Sequence, residues 1–345
     1  MKNLRVGFVF ISLAVLLCVI SCRKDPLVKL GADKLMSIPE GFPSINFPDG
    51  NEFTQDRWEL GKRLFFDPIL SNTYSVSCAS CHIPQNAFSD TIAFSIGENN
   101  LKGKQNAPSL TNIAYHPYFT RAGGVPTLEM QILVPIQEHD EFNSNIVDLA
   151  ERLKQVPSYV EQAMAAYGRE PDPFVITRSI ANFERSFISG NSKYDQYEFQ
   201  GRSRVLKDNE IRGKELFFGS KANCSSCHSG FNFTNYAFEN NGLYEAYADS
   251  GRMRLTRIEE DRALFKVPSL RNVEVTGPYM HNGSFKTLEE VIAHYNSGGR
   301  YHKNKNSNLI KPLGLSNQEQ KDLVAFLKSL TDYDFITNKN YQNEK

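Results

Sequence analysis

The chain has 345 residues, 39 Lys plus Arg against 39 Asp plus Glu, and 40% apolar residues. That balance provides no basic field for nucleic acid, and the length is enough for two domains with cores of their own. Six cysteines are present, four of them in two copies of one spacing, so no disulfide framework is expected.

At the N-terminus, Lys2 and Arg5 flank the start of an apolar run from Val6 to Ile20, followed by Ser21-Cys22-Arg23-Lys24. A basic start, a short apolar stretch and small residues predict a secretory signal over residues 1–21, too short for a comfortable membrane span. Val19-Ile20-Ser21-Cys22 is similar to the lipobox of bacterial lipoproteins. Cys22 then becomes a lipid anchor and the chain an envelope or periplasmic protein held at the membrane by acyl chains alone. Removing the signal leaves 37 basic against 39 acidic residues, again with no partner among nucleic acids. Residues 22–50 read as a tether.

Residues 51–189 hold Cys78-Ala79-Ser80-Cys81-His82, and residues 208–345 hold Cys224-Ser225-Ser226-Cys227-His228. Two thiols three residues apart can form thioethers to the vinyl groups of one porphyrin, leaving the adjacent histidine under the iron. A zinc knuckle would need a fourth ligand that neither motif offers, and a redox dithiol gives no reason for the histidine to appear twice. The expected cofactors are two covalent haems c, with His82 and His228 as proximal ligands.

An internal repeat surrounds these motifs. Gly61-Lys62-Arg63-Leu64-Phe65-Phe66 is echoed by Gly213-Lys214-Glu215-Leu216-Phe217-Phe218. Pro108-Ser109-Leu110 with Asn112, and Thr127-Leu128-Glu129, recur at an offset of 160 residues as Pro268-Ser269-Leu270 with Asn272, and Thr287-Leu288-Glu289. Several matches in one order around matching motifs indicate duplication of one unit. Spacing is not rigid: the second copy has fourteen more residues between its histidine and Pro-Ser-Leu.

Phe174, Ile176, Ile180, Phe183 and Phe187 keep helical spacing and read as core. Ser316 with Glu319 and Thr287 with Glu290 predict capping boxes. The polar, tyrosine-rich stretch 190–207 reads as an interdomain linker, and 230–262 as a long loop over the second haem. The predicted fold is mainly α, two cytochrome c-type haem domains with long irregular loops.

These residues resemble the bacterial di-haem cytochrome c peroxidase family, including its MauG-like branch. The resemblance rests on Leu60–Pro68, Asn106–Leu110, Thr127–Gln131, Phe265–Asn272 and Lys311–Leu315, together with both haem motifs. It implies a peroxidase whose N-terminal haem meets hydrogen peroxide and whose C-terminal haem receives electrons from a small c-type cytochrome or copper protein. The assembly is left open between monomer and homodimer. Family members close the first haem with a distal histidine where this chain has Ile96-Gly97-Glu98-Asn99, and no histidine lies between His82 and His116. The first haem is therefore expected to be open, with Glu98 a solvated loop carboxylate.

By the same resemblance, Glu141 is the acid-base group that moves the peroxide proton and Gln131 orients the substrate, with His139 a weaker rival. At the second haem, Tyr295 stands where other family members place a methionine ligand and marks the MauG-like branch. His294, Met253 and Met280 are rival ligands. Asn106, Thr276 and Pro278 match a calcium site between the haems. The family's inter-haem tryptophan is replaced by Arg121, which weakens the expectation of shared oxidising equivalents. An alternative reading is a MauG-like oxidase acting on a partner protein or small molecule; another is a non-catalytic electron carrier or redox sensor.

Overall fold

The computed structural model describes residues 35–343. The predicted signal, the Cys22 anchor and the first part of the tether, residues 22–34, lie outside the described residues. Ten helices define the frame. They are α1 (Gln55–Phe66), α2 (Leu128–Gln137), α3 (Ile146–Lys154), α4 (Pro157–Tyr167), α5 (Pro173–Arg185), α6 (Lys193–Glu198), α7 (Asp208–Phe218), α8 (Leu288–Ser297), α9 (Asn317–Lys328) and α10 (Tyr333–Ile336). The four-residue helical turns Cys78–Cys81 and Met253–Thr256, several 3₁₀ turns and long loops make up the rest of the described residues. The one two-stranded sheet among the described residues pairs Phe238–Glu239 with Phe265–Lys266 antiparallel. The mainly α prediction holds.

The duplication is visible in packing. In the first half α1 crosses α5, and in the second α7 crosses α9. Each crossing is closed by the repeated glycine: a Cβ on Gly61 would lie 1.9 Å from Ser179 O, and one on Gly213 would lie 1.9 Å from Asp322 O. No side chain fits at either place, which is why the glycine of Gly-Lys-x-Leu-Phe-Phe recurs. The repeated asparagines are equivalent too. Asn112 and Asn272 both adopt positive φ, 56° and 58°. Asn112 Oδ1 accepts from Ser189 N–H and Asn272 Oδ1 from Asp332 N–H, each at 2.8 Å, pinning the chain beyond α5 and α9.

Each half has its own apolar core. The first gathers Trp58, Leu64, Phe65, Phe88, Ile132, Ile180, Phe183 and Phe187; the second gathers Phe217, Phe233, Leu288, Ile292, Leu323 and Phe326. The predicted stripe on α5 is therefore core, except half-buried Phe174. Both predicted capping boxes form. Glu319 N–H donates to Ser316 Oγ at 3.3 Å, and Glu290 N–H to Thr287 Oγ1 at 3.2 Å.

Two boundaries differ from the sequence reading. The stretch 190–207 joins the halves, but it is not a solvated linker: α6 buries Tyr194 and Asp195 in the second half, and Asp195 forms an ion pair with Arg271 in which both side chains are 0% exposed. Here the polar composition concealed a paired charge. The last residues do not stay with the second half either. Phe335, Ile336 and Tyr341 pack in the first core, with Tyr341 5.4 Å from Phe187 between ring centroids. No helix among the described residues is long and apolar enough to cross a membrane.

Candidate functional site

The first Cys-x-x-Cys-His motif forms one helical turn, Cys78–Cys81, opened by Ser77, whose N–H donates to Ser80 Oγ at 3.0 Å. His82 N–H closes it by donating to Cys78 O at 2.9 Å. His82 Nδ1 lies 2.8 Å from Phe88 O. A carbonyl only accepts, so Nδ1 carries the proton and Nε2 keeps its lone pair for a metal. Burial holds the imidazole below its ordinary pKa, opposed by the Phe88 carbonyl, Asp90 and the Pro108 carbonyl.

The second motif repeats this. His228 N–H donates to Cys224 O at 2.9 Å, and His228 Nδ1 lies 3.1 Å from Phe233 O. Burial again lowers the imidazole, opposed by the carbonyls of Phe233 and Pro268. The repeated Pro-Ser-Leu thus brings a carbonyl to each proximal ring.

Burial pushes the Cys81 thiol up to about 11 and Cys224 up to about 12, and raises Cys78 and Cys227 as well. Zinc or dithiol chemistry needs the opposite shift, because the thiolate is the ligand and the nucleophile. Among the described residues, no group of three or more His, Cys, Asp or Glu side chains is placed to hold a metal ion. Neutral thiol pairs beside an imidazole with a free Nε2 fit covalent haem c, whose thioethers bury no charge.

Glu141 stands in the turn after α2. The turn folds back on the helix: Phe142 N–H donates to Pro135 O at 3.1 Å and Ser144 N–H to Ile136 O at 2.8 Å. The charge of Glu141 reaches the thiols of both Cys78 and Cys81, which places the carboxyl beside the first haem site. Glu141 is exposed as a residue, yet desolvation of its carboxyl is the largest influence on it; with Glu138 and Asp140 this pushes the carboxyl up to about 7, against Lys104. On α2, Gln131 has a buried Oε1 with no hydrogen-bond partner, an acceptor left for a ligand. The rival His139, like Glu141, is an exposed residue.

Glu98 corrects the sequence reading. It is 0% exposed, and its two oxygens accept from Thr73 N–H at 2.9 Å and Thr73 Oγ1 at 2.6 Å. Burial pushes its carboxyl up, but these hydrogen bonds outweigh it and hold the group below the usual carboxylate range. Both oxygens are occupied, so Glu98 is a structural latch and neither a solvated group nor an iron ligand. Its N–H donates to Glu141 O at 2.8 Å, and a Cβ on Gly97 would lie 2.2 Å from Asp140 O. The loop aligned with the distal-ligand loop therefore buttresses the backbone of Glu141.

Tyr295 lies on α8, close enough to Cys227 and Cys224 for their ionisation to couple to that of its hydroxyl, which places it beside the second motif. Burial pushes it up to about 12, with a hydrogen bond from Asn241 opposing. Asn241 Nδ2 is 3.4 Å from the Tyr295 hydroxyl and 3.2 Å from Met280 Sδ, so two of the four named ligand candidates converge on one amide. His294 is occupied elsewhere, its Nε2 3.0 Å from Asn241 O.

Between the motifs the charge is unbalanced toward cations. Burial and the nearby Arg121 push Lys266 down to about 8; its Nζ donates to Tyr118 O at 2.9 Å. Burial pushes Arg121 down to about 10, with Asp249 as the opposing carboxylate. Carboxylates of bound haem would complement this surplus. The calcium expectation does not fit as well: Asn106 O and Oδ1 already accept from the Arg121 guanidinium.

Two haem-attachment turns in a duplicated helical frame define a di-haem c-type cytochrome. Residues 55–204 match the family described as Di-haem cytochrome c peroxidase, and residues 211–331 match Cytochrome c. The chain is 37% identical to Methylamine utilization protein MauG of Methylorubrum extorquens over 83% of its own length and 81% of that protein. It is 35% identical to Cytochrome c551 peroxidase of Nitrosomonas europaea over 80% of each chain. A MauG-like protein associated with microbial copper homeostasis superposes with a TM-score of 0.84 at 33% identity, covering 88% of this chain and 97% of that one. The chain belongs to the di-haem cytochrome c peroxidase family and is a haem oxidoreductase.

Sequence reasoning missed Glu184. It follows Ile180 by one helical turn on the buried face of α5, is 6% exposed, and is pushed up to about 8 by burial; its charge reaches Cys78. The spacing from Ile180 was the available signal.

Proposed function

We propose that this protein reduces hydrogen peroxide to water at the His82 haem, with two electrons delivered singly through the His228 haem from a small cytochrome or copper protein. The observation that carries the reading is Glu141, held near neutrality beside the first haem motif. A haem held by Cys78, Cys81 and His82 would supply an iron and the capacity to exchange electrons. A carboxyl poised at about 7 can accept the proton of incoming peroxide and return it to the departing oxygen, so that H₂O₂, two electrons and two protons give two waters. The buried Oε1 of Gln131 accepts a peroxide O–H and orients it. Glu98 and Gly97 fix the backbone from which Glu141 projects.

Holoprotein mixed with peroxide and a reduced small cytochrome c will oxidise the donor steadily; no donor oxidation would refute the peroxidase reading. A second reading, oxidation of a partner protein or small molecule, is favoured by Tyr295 beside the second motif, since an anionic oxygen ligand lowers a haem potential. Peroxide consumption without donor turnover would select it. For Tyr295 as the sixth ligand, resonance Raman of Tyr295→Phe will lose the tyrosinate bands of the second haem; an unchanged spectrum rules the ligand out. The signal-like N-terminus and Cys22 support placement at the cell envelope through a lipid anchor.

A further inference from the structure

We propose that the guanidinium of Arg121 serves as the resident cation between the two haem sites, and that the protein holds no calcium there. Arg121 Nε donates to Asn106 O at 3.1 Å, and its Nη2 donates to Asn106 O at 2.9 Å and to Asn106 Oδ1 at 3.1 Å. One planar fork thus grips the backbone and side-chain oxygens of a single residue, a geometry suited to guanidinium. Calcium requires such hard oxygens to be free.

The rest of Asn106 is also committed. Its N–H donates to His281 O at 3.0 Å and its Nδ2 to Ile92 O at 3.2 Å, and the residue is 4% exposed. Asn106 therefore ties the first half to the turn containing Pro278 and His281 without any ion. The charge environment agrees. Asp249 is the carboxylate that acts on Arg121, and Lys266 lies close enough for Arg121 to lower its pKa, so a divalent ion would enter beside two cations and one anion.

A covalently fixed cation has a consequence that a bound ion lacks: chelators cannot remove it. The inter-haem junction of this protein is then permanently set, whatever the calcium concentration in its compartment. This conclusion is independent of the peroxidase reading, because it concerns metal content and not turnover.

The test uses dialysed holoprotein, elemental analysis for calcium, calorimetric titration with calcium chloride, and haem absorption spectra with and without EGTA. Wild type is expected to carry no stoichiometric calcium, to give no binding heat and to keep its spectrum in EGTA. Arg121→Ala frees both Asn106 oxygens and is expected to gain one calcium per chain with a Kd on the order of 10⁻⁴–10⁻³ M, the range of weakly charged extracellular sites. Arg121→Lys retains a cation and serves as the milder variant; it is expected to bind calcium more weakly than Arg121→Ala. One calcium per wild-type chain would overturn the proposal. An Arg121→Ala protein that takes up both haems yet binds no calcium would overturn it as well, since the freed oxygens would then never have formed an ion site.

Discussion

Glu141→Gln will lower kcat/KM for peroxide by about 10²–10⁴-fold, the usual contribution of a positioned acid-base group. The substitution keeps the side-chain volume and removes the titration, so the two haems and their spectra should be retained. The pH profile makes the test specific. Burial, Glu138 and Asp140 hold the wild-type carboxyl at about 7, and the charged form is the one that accepts the peroxide proton. Activity of the wild type should therefore rise with pH through about 7 and fall on its acid side. Lys104 opposes the upward shift, so Lys104→Met should move the acid limb to higher pH. In Glu141→Gln the limb should be absent. Steady-state donor oxidation from pH 5 to 9, ranges chosen to bracket the carboxylate, measures all three proteins; an acid limb that survives in Glu141→Gln would assign the proton transfer to another group.

Arg271→Met will cost about 3–5 kcal/mol of stability, because it strands a buried carboxylate. Arg271 Nη1 donates to both oxygens of Asp195 at 2.6 Å, and Nε donates to Phe231 O at 2.9 Å. Asp195 Oδ2 also accepts from Ser192 N–H at 2.9 Å and Ser192 Oγ at 2.6 Å, which fixes the start of α6. The guanidinium thereby joins α6 to the loop that carries Phe233, whose carbonyl orients His228. At ~2.1 cal/mol/K per residue over 345 residues, the loss corresponds to a fall in Tm of roughly 4–7 °C, readable by calorimetry of the holoprotein. Arg271→Met with Asp195→Leu removes both charges and should recover much of that loss. A single variant within 1 °C of wild type, taken as roughly the scatter of the measurement, would show the pair to be energetically neutral.

Legibility followed the physical origin of each feature. Cys-x-x-Cys-His was readable because covalent attachment demands adjacent residues, and the repeat because a helix crossing at Gly61 and Gly213 excludes every side chain. Capping at Thr287 and Ser316 was readable for a similar reason, since its partners lie three residues apart. Features built from distant partners were opaque. Glu98 looked solvated until Thr73 was brought against it, and Asp195 looked like linker until Arg271 closed over it from 76 residues away. Tyr341 returns to the first core across 155 residues to reach Ser186, which no local pattern announces. Arg121 was noticed only as a missing tryptophan; its grip on Asn106 is a tertiary contact.

The insertion in the second repeat has a structural counterpart. The fourteen extra residues before Pro268 belong to a segment that supplies the strand Phe238–Glu239, the turn Met253–Thr256 and Asn241, the amide beside Tyr295. The first copy lacks this segment and carries the Glu98 loop between His82 and Pro108.

The account rests on two haems with different jobs, one open beside Glu141 and one closed by protein. Pyridine haemochrome analysis combined with low-temperature EPR of the oxidised holoprotein tests this directly. The expected result is two haems c per chain, one high-spin and one low-spin. A single haem per chain, or two low-spin haems, would contradict it.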